Sequence, residues 1–224
     1  MNATAARTLR AGLAGLAAVA AAGCVSMAAP APLPILGGPS VAALGHSEVG
    51  IGAGTGLSAF PGAHSGGDGW LGRWRQGLGG GFDLGVDAMG VRRGDKGTFT
   101  MKAAGRYQAG PHTRLEAGVG AADDSDGKSL NAEMALTLGT VRPRSWNFYT
   151  SLCVAAAKGF RPDPDSTAPP DDLLGIAAVG ASGTIAGTGR FVGEFGIGPA
   201  LVRGNSAIGF VLYFGAALLF DVGE

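Results

Sequence analysis

Three histidines, at positions 46, 64 and 112, bound what acid–base chemistry this chain can do with an imidazole. The most suggestive string is His64-Ser65-Gly66-Gly67-Asp68, which holds the three side-chain types of a hydrolytic triad. Triads, however, are assembled from distant positions that hold base and carboxylate rigidly, and adjacent residues around two glycines read as a polar loop. His46 precedes the first strand and His112 falls in a short turn, so neither completes a site with His64. Asp123, Asp124, Ser125, Asp126 and Gly127 resemble part of a calcium-binding loop. With Gly127 as the sixth position, Asp124, Asp126 and Glu133 would fit, but Ala122 stands at the first ligand position and strands flank the segment. An acidic turn is the expectation. Asp163, Asp165, Asp171 and Asp172, set among Pro162, Pro164, Pro169 and Pro170, could weakly gather divalent cations. Phosphate-cradling glycine loops, zinc spacings and CxxC pairs are absent from the sequence. No catalytic residue, metal site or cofactor is therefore expected.

The remaining ionisable residues follow a different rule, recurring at alternate positions of apolar segments. Arg73, Arg75, Lys102, Arg106 and Arg114 are basic, and Asp83, Asp87, Glu116, Glu133 and Glu194 are acidic. Five of each sign on one face of a sheet suits mutual neutralisation. Desolvated charge is costly without a partner, so most should be paired.

The elements that carry these residues read as strands. Glycine occupies 42 of 224 positions and only 15% of residues are charged, against 46% hydrophobic. Glycine disfavours helix interiors, and hydrophobic content this high argues against disorder. Ten segments of strand length fall near 48–60, 69–77, 81–91, 98–108, 113–121, 129–141, 146–157, 173–183, 189–200 and 207–220. Phe82, Leu84, Val86 and Ala88 share one face while Asp83, Gly85 and Asp87 share the other. Phe99, Met101, Ala103 and Tyr107 oppose Thr100, Lys102, Ala104, Arg106 and Gln108. Leu115, Ala117 and Val119 oppose Arg114, Glu116 and Gly118, and Leu130, Ala132, Met134, Leu136 and Leu138 oppose Asn131, Glu133 and Thr137. A period of two is the pattern of a sheet with one apolar face. The last segment is apolar on both faces, and Phe210, Phe214, Gly209 and Gly215 favour a strand there too. Connections alternate between long (Pro61 to Asp68, Arg92 to Gly97, Ala122 to Lys128, Lys158 to Asp172) and short (Leu78 to Gly80, Ala109 to His112, Arg142 to Ser145, Thr184 to Thr188).

Ahead of the strands, Arg7 and Arg10 precede an apolar run from Ala11 to Ala22, the length of an export-signal core and too short to span a bilayer as a helix. Ala21-Ala22-Gly23-Cys24 resembles a bacterial lipoprotein processing site, with Ala21 where leucine is usual. That resemblance implies a diacylated Cys24 as the mature N-terminus; an ordinary cleaved signal peptide with an incidental Cys24 is the alternative. The expected division is 1–23 signal peptide, 24–46 lipidated N-terminus and Ala/Pro-rich extended tether, and 47–224 barrel. Without Arg7 and Arg10 the chain has 15 basic and 17 acidic residues, a net charge of −2, and no basic patch with interleaved aromatics points to nucleic acid. Cys153 is expected to be a buried, inert thiol.

A sheet of ten alternating strands can close with its apolar face inward, as in a soluble lipocalin-like carrier of an apolar ligand, or outward toward lipid. Three features favour the second: the polar face is rich in glycine and sparse in charge, aromatics fall toward strand ends (Phe60, Trp70, Tyr107, Trp146, Phe220), and the charges carry both signs. In these features residues 48–220 resemble the small outer-membrane β-barrel superfamily, porin-like or OmpA-like. The usual terminal aromatic is displaced here, Phe220 being followed by Asp221-Val222-Gly223-Glu224. The resemblance implies an all-β, up-and-down antiparallel transmembrane barrel of ten strands, with eight as the alternative, located in the outer membrane. It implies membrane lipid, lipopolysaccharide and the barrel-assembly machinery as partners. The expected function is non-enzymatic, structural or surface-interacting, with a salt-bridged lumen; a small passive diffusion channel is the alternative.

Overall fold

The computed structural model describes residues 37, 38, 40–60, 63–93, 96–124, 127–141, 146–160, 171–186, 188–203 and 207–223. The signal segment and Cys24 lie outside the described residues. Ten strands follow one another: β1 (Ser47–Phe60), β2 (Ala63–Gly79), β3 (Phe82–Arg93), β4 (Lys96–Gly110), β5 (Thr113–Asp124), β6 (Gly127–Gly139), β7 (Asn147–Phe160), β8 (Asp171–Ala186), β9 (Gly189–Arg203) and β10 (Ala207–Val222). Each pairs antiparallel with its sequence neighbours, and β1 pairs with β10, from Ser47 opposite Val222 to Ala59 opposite Phe210, to close the barrel. Closure leaves no edge strand with unpaired backbone groups. No helix among the described residues is long and apolar enough to cross a membrane.

Strand tilt shows in the register. Following paired residues once round the wall from Gly50, through Arg73, Asp87, Lys102, Gly120, Asn131, Ala157, Asp172 and Val202, arrives at Ala207. Yet Gly50 itself pairs with Leu219, so the path is offset along β10 from 207 to 219, twelve positions. Barrels close only with such a stagger, and it decides which side chains meet across the lumen.

The connections depart from the sequence expectation. Strands run on through three segments expected as loops: His64 to Asp68 belong to β2, Arg92 and Gly97 to β3 and β4, and Ala122 to Asp124 to β5. Only positions 61–62, 94–95 and 125–126 separate those strands, whereas ten residues separate β7 from β8. The cause is pairing: His64 to Asp68 face Ala59 to Thr55 of β1, and a backbone ladder tolerates polar and glycine-rich sequence. Long against short loops therefore do not distinguish the two barrel ends. Both chain ends of the barrel lie at one mouth, where Ser47 meets Val222; outer-membrane barrels turn that mouth to the periplasm. Aromatics gather near it: Phe82 stacks on Tyr107 with centroids 4.3 Å apart. Trp70 instead lies mid-strand in β2, 6.1 Å from Phe99, because β2 extends past the expected end.

Candidate functional site

Strand parity positions every charged side chain of interest. Along β3, Leu84 and Val86 are exposed while Asp83 and Asp87 are buried; along β4, Phe99 and Met101 are exposed while Lys102 and Arg106 are buried. The same division runs through all ten strands, with Ile51, Leu152, Val179 and Phe214 among the exposed apolar side chains. Arg75, Asp83 and Arg114 are 0% exposed. An outside of bulky apolar groups around an ionic inside suits hydrocarbon and is the reverse of a soluble ligand-carrying barrel. The chain is a transmembrane β-barrel of the outer-membrane type.

Inside, the ten residues singled out from the sequence all face the lumen, and they assort into three groups. Nearest the mouth where Ser47 meets Val222, Arg106 grips Asp83 in a forked pair (Nε to Oδ1 2.9 Å, Nη2 to Oδ2 2.7 Å) and also reaches Glu48 (3.1 Å). Glu48 is shared with Arg190 at 2.5 Å. Higher up, Asp87 collects three cations: Arg73 (3.0 Å), Arg75 (2.7 Å) and Lys102 (3.2 Å). Lys102 also contacts Glu133 and Glu116, and Glu116 lies 3.7 Å from Arg75 and 3.5 Å from Arg114. Planar guanidinium forks serve two carboxylates at once, as Arg106 does for Asp83 and Glu48 and Arg75 for Asp87 and Glu116, so the charges within each of these two groups are linked.

Glu194 belongs to a different setting. Tyr149 and Tyr213 donate their hydroxyls to its two oxygens at 2.7 and 2.5 Å. The rings lie flat against the wall because Gly180 and Gly196 leave room; a Cβ there would come within 2.2 Å of Tyr149 and 2.1 Å of Tyr213. Glu48, Arg190, Tyr149 and Tyr213 were not singled out from sequence. Parity held the signal for Arg190, which shares a face with Glu194, and for Glu48, which alternates with Val49 and Ile51.

The chain ahead of β1 also enters the site. The described end of the expected tether lies within the lumen: Gly37 and Gly38 are buried. Arg114 donates to the Gly38 carbonyl, Arg190 to Ser40 Oγ (3.0 Å), and the Ala42 amide donates to Asp83 Oδ2 (2.8 Å). A turn closed by His46 N donating to Ala43 O (3.0 Å), with Gly45 at φ +80°, then delivers the chain to β1. Gly77 admits this turn, since a Cβ there would lie 1.7 Å from the Ala43 oxygen.

The chemistry-bearing strings fare differently. His64 and Ser65 belong to the β2 ladder, paired with Ala59 and Ser58 of β1, and not to a loop. His46 pairs with Asp221 at 3.0 Å and His112 with the Gly139 carbonyl, both in exposed positions at the end of the barrel where β1 begins. Asp123 contacts Lys128 at 3.6 Å across β5 and β6, and positions 163 and 165 lie outside the described residues. Among the described residues no group of three or more His, Cys, Asp or Glu could hold a metal. Cys153 is buried and faces the lumen.

No protein-family model matches the sequence, and no curated protein matches it. Solved structures similar to the barrel include a bacterial polysaccharide outer membrane secretin (TM-score 0.40, 10% identity, 82% of this chain and 100% of that one). The β domain of the Bordetella autotransporter BrkA is also similar (TM-score 0.43, 10% identity, 76% and 98%). So is the outer membrane protein OprG from Pseudomonas aeruginosa (TM-score 0.36, 10% identity, 83% and 99%). The likeness is one of barrel architecture and carries no residue role to this chain.

Proposed function

We propose that the barrel is a closed, non-enzymatic protein of the outer membrane with a structural or surface-interaction role, its lumen stopped by its own charges and by the segment ending at Ala43. One observation carries this reading: the Asp83 carboxylate holds Arg106 from the wall and the Ala42 amide from the inserted segment, so segment and network form one stopper. Ten strands enclose more space than the eight that side chains alone fill, and the inserted segment takes up part of the excess. The balance of charge supports the same reading: six cations (Arg73, Arg75, Lys102, Arg106, Arg114, Arg190) face six carboxylates (Glu48, Asp83, Asp87, Glu116, Glu133, Glu194) among the described lumen residues. Membrane lipid and lipopolysaccharide are the partners of the outer wall, and the assembly machinery is the partner that inserts it. In planar bilayers the purified barrel should pass no steady current, and on gels of membrane fractions its band should shift on boiling.

A small diffusion channel is the second reading, and it has an observation of its own. Arg73 Nη1 and Arg75 Nε are buried donors without a hydrogen-bond partner, which lumen water would satisfy. Steady ohmic conductance from the unaltered protein would replace the closed reading with this one. Acylation of Cys24 stays part of the proposal, and mass spectrometry of the mature N-terminus decides it.

A further inference from the structure

We infer that the outward half of the lumen is a sheath for this chain's own residues 25–36, so that the chain ahead of Gly37 leaves the barrel through the outer mouth. This goes beyond the closed-lumen reading and does not depend on it.

The direction of the inserted segment is the first argument. Read backward from β1, Ala43 lies over Gly77 close to the end of β2, and Ala42 and Ser40 meet Asp83 and Arg190, each one residue inside the start of its strand. Gly38 then meets Tyr149 and Ser182, and Gly37 meets Leu219 and Arg73, all further from the periplasmic mouth. The backbone climbs as it recedes from β1, and position 37 is reached from within the barrel.

The two ways onward differ in chemistry. Downward, the mouth already holds residues 40–43 and the ionic group of Glu48, Asp83, Arg106 and Arg190. A second strand of chain there would displace buried ion-pair contacts, and Pro30, Pro32 and Pro34 have no amide hydrogen to offer in exchange. Outward, the wall turns apolar at Cys153, Leu174, Ile176 and Val211, and Gly56 presents no side chain. Residues 25–36, Val-Ser-Met-Ala-Ala-Pro-Ala-Pro-Leu-Pro-Ile-Leu, carry no charge. An uncharged, proline-rich segment matches that sleeve and does not match the ionic mouth.

Length permits the path. In the extended form that proline favours, twelve residues span roughly 37 Å at about 3.1 Å each. From the level of Leu219 to that of Ala207 the wall rises about 30 Å, taking about 3.3 Å per residue and a tilt of about 40°. Residues 25 and 26 would therefore stand at or beyond the outer mouth. The barrel would display its N-terminal segment on the far side of the membrane from the mouth where β1 begins.

The test uses the full-length chain in intact cells and a membrane-impermeant maleimide, with labelled sites mapped by peptide mass. Ser26→Cys should label without permeabilisation, as should the control Lys128→Cys, exposed at the outer end of β6. His112→Cys, in the periplasmic turn, should label only after permeabilisation. Cys153 supplies a second readout inside folded barrel: under an oxidant, Pro34→Cys or Ile35→Cys should form a disulfide with it. The inference is overturned if Ser26→Cys follows His112→Cys, or if neither Pro34→Cys nor Ile35→Cys cross-links. A negative result would leave the closed lumen standing, because the ionic stopper suffices for it; a conducting barrel would remove the closed lumen whatever the labelling pattern.

Discussion

The two walls of the lumen fill the same cylinder by different means. Strands β2 to β5 contribute Arg73, Arg75, Asp83, Asp87, Lys102, Arg106, Arg114 and Glu116, a wall in which each side chain is held by a partner of opposite sign. Strands β7 to β10 contribute Cys153, Leu174, Ile176, Val192, Val211 and Leu219, a wall held by shape and apolar contact. Glu194 lies on the apolar side, and two tyrosyl hydroxyls solvate it there. The outer faces of the two halves are alike, since lipid asks the same of every strand. Inside, the ionic wall depends on completeness, because an orphaned buried charge is costly, whereas the apolar wall depends on volume.

Breaking the ionic wall should cost most. Asp87→Ala leaves Arg73, Arg75 and Lys102 without the carboxylate they share, and should destabilise the folded barrel by about 3–5 kcal/mol, read from the urea midpoint in lipid vesicles. Ile176→Ala opens a void in the apolar wall and should cost roughly 2–3 kcal/mol by the same measurement. Combining the two should give the sum within about 0.5 kcal/mol, since they sit on opposite walls with no shared partner. Strong coupling would mean that the walls are one packed unit, and the contrast would fall. Gly196→Ala pushes a methyl into the Tyr213 ring and should cost about 1–3 kcal/mol, with Tyr213→Ala relieving part of the loss. Asp221→Asn, which removes the exposed partner of His46 outside both walls, should move the midpoint by no more than about 0.5 kcal/mol.

Lumen residues were legible in the sequence to the extent that local alternation could show them. Asp83, Lys102 and Glu116 could be assigned to the face opposite Leu84, Met101 and Leu115 because a strand sends successive side chains to opposite sides, a rule that needs no knowledge of the partner strand. The same rule led to ten strands, and the last apolar segment proved to be β10 although both its faces are apolar. Strand ends were less legible. Whether His64 to Asp68 extend a ladder or form a loop depends on Ala59 to Thr55 lying alongside, and a local window does not contain that neighbour.

The sequence by itself determined which residues point at lipid and which at the axis, since that assignment is a matter of parity along each strand. Tertiary structure decided which charges meet. Glu48 and Arg190 are 142 residues apart, and the twelve-position stagger of the closed wall sets the height at which each side chain enters the lumen. Closure also turned Ser40 and Ala42 from an expected tether into part of the stopper, because Arg190 and Asp83 come within reach of them only once β1 has joined β10. Parity is a local property of the backbone, whereas stagger and closure are properties of the whole ring.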